Sequence, residues 1–107
     1  MPRFDQTLAA LADPTRRKLL ARLARNPCRA GVLAQGFAIS RPAICKHTRL
    51  LMRAGLIKSR KEGREQIYEL APGGGDAVKG VIVELEEVGR FWEIALAAFK
   101  RYAEENQ

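Results

Sequence analysis

The sequence predicts a mainly α protein with one small antiparallel β-hairpin and a long C-terminal helix. Three observations carry this. Apolar residues recur at helical spacing, between clear start and stop signals, up to residue 56. The period then changes to extended alternation across residues 57–70, broken once by Glu62-Gly63. Beyond Gly73–Gly75 a helical pattern runs without interruption to about Glu104.

The first helix spans about residues 4–12, with Phe4, Leu8 and Leu11 in one stripe. A stripe on a terminal helix packs on its own core or on a second subunit. Asp13-Pro14 then starts the second helix, the carboxylate capping and the proline taking the first helical position. Leu19, Leu20 and Leu23 line its inner face, and Asn26-Pro27 ends it. Its basic residues form a solvated face, from which Arg16 or Arg17, near the helix start, could meet a phosphate. Residues 29–37, with Val32, Leu33 and Phe37, form a third short helix.

Residues 40–56 form the fourth helix, on which the rest depends. Ser40 is the N-cap, Pro42 sits harmlessly in the first turn, and Gly55-Leu56 is a left-handed stop. At 100° per residue, Ile44, Thr48 and Leu51 share one face, while Pro42, Lys46, Arg49 and Arg53 lie roughly opposite. Two short helices joined by a brief turn are a helix-turn-helix, whose second helix enters a major groove. Residues 57–61 and 64–70 then make a hairpin with Tyr68 and Leu70 inward. Lys58, Arg60, Lys61 and Arg64 cluster near its tip, as in the wing of a winged helix. A two-stranded hairpin alone is marginal in water, so it leans on the helices.

Asp76 caps the final helix, which at ~1.5 Å per residue reaches about 43 Å. Its second half, from Phe91 to Phe99, is apolar almost all round, and such a helix is buried on more than one side. Gly80 and Gly89 each weaken it, which close backbone approach at a helix crossing would excuse.

Charge divides along the chain. Residues 1–71 carry 15 basic and 5 acidic side chains, and residues 72–107 carry 4 and 7. The first part suits a polyanion and the tail does not. With 107 residues, one domain is expected: a DNA-binding core over 4–71 and a dimerising helix over 76–105. A chain this short gains much from pairing. There is no signal peptide and no membrane-spanning apolar run, so the cytoplasm is the default location. Catalysis is not expected: there is one histidine, no Ser–His–acid set and no Gly-rich phosphate loop.

In order, the blocks Leu11 to Leu20, Ser40 to His47, Leu51 to Ile57, and Gly63-Arg64 with Tyr68 and Leu70 resemble the ArsR-type family of bacterial winged helix-turn-helix repressors. The resemblance covers residues 4–71, and the tail is similar in length to that family's dimerising helix. It implies a homodimer, joined through the first and last helices, on a palindromic double-stranded operator. The expected DNA contacts are Ser40, Arg41, Ala43, Cys45, Lys46, His47 and Arg49 on the fourth helix, and Arg60, Lys61 and Arg64 on the wing. The expected dimer contacts are Phe4, Leu8 and Leu11, with Val88, Phe91, Trp92, Ala95 and Phe99.

The chain departs from the family's metal sensors. Those carry a Cys-x-Cys-type site on the third helix, or acid and histidine pairs on the last. Here the third-helix region has Cys28 and the last helix has no histidine. Cys45 and His47, two apart on one helix, are poorly placed to share an ion, so no metal site and no cofactor are expected. Cys45 stands where the family suggests serine, and Thr48 where it suggests leucine, its hydroxyl free to bond the carbonyl four residues back. His47 either packs against the helix-turn-helix with a nitrogen on backbone or phosphate, or reads a base. Two alternatives to a plain repressor remain: a thiol switch at Cys45, which lies among cations on the DNA-facing helix where an adduct would clash with the groove, and a winged-helix module for protein–protein assembly. No motif names an effector.

Overall fold

The computed structural model describes residues 4–105. The helices are α1 (Phe4–Leu11), α2 (Pro14–Arg25), α3 (Ala30–Gln35), α4 (Arg41–Arg53) and α5 (Gly74–Glu105). The strands are β1 (Cys28–Arg29), β2 (Ile57–Glu62) and β3 (Glu65–Leu70), and they form an antiparallel sheet in the order β1-β3-β2. The hairpin therefore has a third strand that the sequence reading lacked. Cys28 pairs with Tyr68 and Arg29 with Ile67. Two residues are too few to show a period, so nothing in the sequence marked them.

Local chemistry explains where each helix begins and stops. Asp13 Oδ1 accepts the N–H of Thr15 at 2.8 Å and of Arg16 at 3.1 Å, with Pro14 at the first helical position. Ser40 Oγ accepts the Ala43 N–H at 3.3 Å. Gly55, at φ 76°, ends α4: its N–H reaches Met52 O at 3.0 Å and the Leu56 N–H reaches Leu51 O at 3.1 Å. This is the paired-bond Schellman stop, which needs a left-handed residue.

The Asp13 cap makes stability depend on pH. The Arg16 N–H above all, then the Thr15 N–H and the nearby charges of His47 and Arg16, hold its carboxyl below the usual value of 3.8, against the opposing effect of desolvation. A carboxyl lowered in the folded state stabilises above its unfolded pKa and loses that contribution as pH falls through its folded pKa. Asp13→Ala should therefore lower Tm at neutral pH, and the gap from the native protein should close below about pH 4. Thermal melts at a series of pH values check this; a gap independent of pH would contradict it.

The core lies between α2, α3, α4 and the sheet. Leu19, Leu33, Leu51 and Leu56 are fully buried, with Leu20, Leu23, Ile44, Ile57 and Tyr68 close to it. Thr48 is also fully buried. Its hydroxyl donates to the carbonyl of Cys45 at 3.0 Å, three residues back rather than four, and lies 3.4 Å from Tyr68 Oη. A polar group is thus held inside the helix-turn-helix without an unmet bond.

Several boundaries differ from the sequence reading. The third helix is shorter, and Val32 is half exposed; Leu33 is its one buried residue. In the hairpin, Glu62 pairs with Glu65, so the turn is Gly63-Arg64 and Glu62 belongs to the strand. Gly63, at φ 64°, supplies the positive φ that a two-residue hairpin turn demands. Tyr68 is buried as expected and Leu70 half-buried, but Ile67, on the opposite face of β3, is buried too.

The last helix begins at Gly74, with Asp76 inside its first turn rather than at its cap. Close approach occurs here: a Cβ on Gly74 would stand 2.5 Å from the Leu56 carbonyl oxygen. No such neighbour lies within 4 Å of Gly80 or Gly89 in the single chain. At ~1.5 Å per residue α5 runs about 48 Å. Ala77 and Val78 touch the core and Val81 is buried, yet every residue from Ile82 to Glu105 is exposed.

Candidate nucleic-acid interface

The same turns that pack α4 decide what it presents outward. With Ile44, Thr48 and Leu51 pointing into the core, the 3.6-residue period leaves Arg41, Pro42, Cys45, Lys46, Arg49 and Arg53 exposed. Ala43 and His47 lie half-buried at the edges of that face, and Ser40 is exposed at its N-cap. Among the described residues, none of Arg41, Lys46, Arg49 and Arg53 forms an ion pair with a carboxylate. A row of unpaired cations on a helix of 13 residues is the shape and charge that a major groove accepts.

The hairpin brings a second set of cations. Arg60 Nη1 meets Glu62 at 2.9 Å and its Nε meets Glu69 at 3.5 Å; Lys58 also meets Glu69 at 3.5 Å. The Glu62 carboxylate, foremost, holds the Arg60 guanidinium more firmly charged than usual. Arg29 meets Glu65 at 2.6 Å. These pairs are solvent-exposed, worth little individually, and easily exchanged for a phosphate. Lys61 and Arg64, at the tip, have no ion pair among the described residues.

Arg16 and Arg17 do something the sequence reading did not foresee. Both guanidiniums bond the C-terminal end of α1, Arg16 half-buried there and Arg17 still exposed. Arg17 Nη1 donates to Leu11 O at 2.8 Å. Arg16 donates through Nε to Ala10 O at 2.8 Å and through Nη2 to Ala9 O at 3.1 Å, and its Nη1 lies 3.4 Å from His47 Nδ1. The last carbonyls of a short helix have no partner of their own, and cations there also meet its negative end. Basic residues just after an Asp-Pro helix start, six or seven residues beyond those carbonyls, are the signal that was available.

The two cysteines separate clearly. Cys28 is buried in the core, and Cys45 is exposed on the outward face of α4. Among the described residues, no three His, Cys, Asp or Glu side chains are grouped to hold a metal ion. No described helix is long and apolar enough to cross a membrane.

Of the residues named as dimer contacts, Phe4 and Leu8 are 38% and 37% exposed, and Leu11 is half-buried against the core. Val88, Phe91, Trp92, Ala95 and Phe99 are all exposed on α5. Between α1, α2 and α5 runs a groove of about 880 Å³, lined by Leu8, Leu11, Leu20, Val78, Ile82 and Leu85 among others.

Comparison with known proteins agrees with this geometry. A helix-turn-helix domain family matches residues 11–60. The chain is 37% identical over 95 residues to the HTH-type transcriptional regulator Rv2034 of Mycobacterium tuberculosis, covering 89% of this chain and 83% of that one. It is 39% identical over 67 residues to the transcriptional repressor SdpR of Bacillus subtilis, covering 63% and 74%. An ArsR-like transcriptional regulator from Rhodococcus sp. RHA1 superposes with a TM-score of 0.72 at 38% identity, covering 94% of this chain and 90% of that chain.

Proposed function

Because this chain belongs to the ArsR-type family of winged helix-turn-helix transcriptional regulators, we propose that it is a homodimeric repressor of a palindromic operator and that it works without a metal-sensing site. The family is one of DNA-binding, non-enzymatic regulators. The observation that carries the finer reading is the pairing of two surfaces on one chain. One is the cation row of α4, flanked by the wing. The other is an apolar stretch of α5 that a lone chain leaves in water, with Phe91 72%, Trp92 61% and Phe99 70% exposed. A contiguous apolar patch of that kind marks an interaction surface. A second copy supplies the same patch, and a two-fold axis doubles every contact.

In this reading α4 lies in a major groove. Its phosphate contacts supply most of the affinity, while Arg41, Ala43, Cys45, Lys46 and Arg49 face base edges. Lys61, Arg64 and an exchanging Arg60 reach neighbouring backbone or minor groove. Two subunits then span half-sites about one helical turn apart, ~34 Å. Repression follows when that footprint overlaps a promoter and blocks polymerase.

Footprinting on the DNA upstream of the protein's own gene tests this. The expected result is a discrete two-fold symmetric site. With about six phosphates neutralised, log K against log salt should fall with a slope near −5. Coating without a discrete site would make the protein a sequence-blind architectural binder. No protection at all would favour the assembly-module reading.

A further inference from the structure

We propose that Arg16, from its place inside the protein, fixes which nitrogen of His47 carries the proton, and thereby makes the outer edge of His47 a hydrogen-bond donor to an acceptor on the duplex. The proposal deepens the reading of α4 as the DNA-facing helix and rests on it.

Arg16 is held firmly by the backbone around it. Two of its nitrogens donate to the backbone carbonyls of Ala9 and Ala10, at 3.1 and 2.8 Å. Its own N–H is bound by the Asp13 cap at 3.1 Å. A planar guanidinium anchored at two points has its third nitrogen placed for it. That nitrogen, Nη1, stands 3.4 Å from His47 Nδ1. A guanidinium offers only donors, so the contact is attractive only when Nδ1 presents a lone pair. A neutral imidazole has one proton, and it must then sit on Nε2. Asp13, the nearest capping carboxylate, turns its Oδ1 to the N–H groups of Thr15 and Arg16, and among the described residues His47 Nδ1 is met by Arg16 instead.

The geometry of the ring completes the step. With Nδ1 turned toward α2, Nε2 is on the far side of the imidazole. His47 is half-buried at the edge of a face whose exposed members include Lys46 and Arg49. A donor there suits an acceptor: a phosphate oxygen, or N7 of a purine in the major groove. Arg16 is thus a positioning residue. It ties α1, on the proposed dimer side, to the reading helix, and sets the polarity of a contact it does not make.

The chain has a single histidine, so the imaginary ambiguity of overlapping rings does not arise in a nitrogen spectrum. The experiment is long-range ¹H–¹⁵N correlation on the full-length labelled protein without DNA at pH 8.5. The expected pattern is the Nε2–H tautomer, shifting toward a mixture in Arg16→Gln. A native Nδ1–H tautomer, an even mixture, or an Arg16→Gln spectrum identical to the native one would overturn the proposal. This readout is independent of DNA binding, so it fails separately from the repressor reading. Operator binding supplies the second half. His47→Gln, which keeps an outward amide donor, should retain most affinity. His47→Asn, which keeps an acceptor toward Arg16 but loses the outward donor, should bind about tenfold more weakly, as should His47→Ala. Equal binding by all three variants would remove the donor role. Operator DNA with 7-deazapurines or with methylphosphonates distinguishes the base acceptor from the phosphate.

Discussion

Trp92→Glu is expected to leave each subunit folded and to separate the two. Trp92 is 61% exposed in the single chain and lies outside its core cluster, so the substitution leaves that core intact. In a two-fold interface the residue occurs twice. Full burial of a large apolar side chain is worth about 2–3 kcal/mol, so the pair of losses amounts to about 5 kcal/mol, and two carboxylates would have to be desolvated as well. At 1.4 kcal/mol per tenfold, dimerisation should weaken by roughly 10³-fold or more. Sedimentation velocity at micromolar concentration reads this directly, with far-ultraviolet circular dichroism as the control for folding. Operator binding should collapse with it, because one α4 alone can grip only one half-site. A variant that still sediments as a dimer would mean that the α5 patch faces something else.

How much of this was legible in the sequence depends on how far each signal lay from its effect. The start and stop of α4 were readable because Ser40, Gly55 and Leu56 act within one turn of where they stand. The outward cations followed from the same period. The hairpin was readable from its alternation, but its turn fell one residue later, because Gly63 supplies the positive φ and Arg64 follows it into the turn. What escaped was non-local. The strand Cys28–Arg29 exists only because β3 offers it an edge. Ile67 is buried on a face that a two-stranded hairpin would have left open. Arg16 looked like one more surface cation; its bonds to Ala9, Ala10 and His47 depend on three helices meeting. The length of α5 was readable; that its second half lies exposed all round in the single chain, rather than buried on one side by its own domain, was not. Nor was its backbone contact: within the single chain the tight approach is at Gly74 against Leu56, and not at Gly80 or Gly89.

Replacing Lys46 and Arg49 together by alanine should abolish operator shifts while the dimer persists. Both side chains are exposed and, among the described residues, without a carboxylate partner, on the face of α4 opposite Ile44, Thr48 and Leu51. Neither supports the core, so alanine, a strong helix former, should leave stability unchanged within about 0.5 kcal/mol. The loss on DNA is larger, because every contact occurs in both half-sites. Lost base contacts at about 1–3 kcal/mol each predict a fall of at least 100-fold at 150 mM salt. The salt series separates the two kinds of contact. Each phosphate interaction removed flattens the log–log slope by about 0.9, so a variant that loses one per half-site should have a slope shallower by nearly 2. If only the slope changes, and all sequences weaken alike, these side chains grip backbone; if affinity falls at the operator with the slope intact, they read bases. Undiminished binding at 150 mM salt would place the DNA on some other surface and would dismantle the proposed docking of α4.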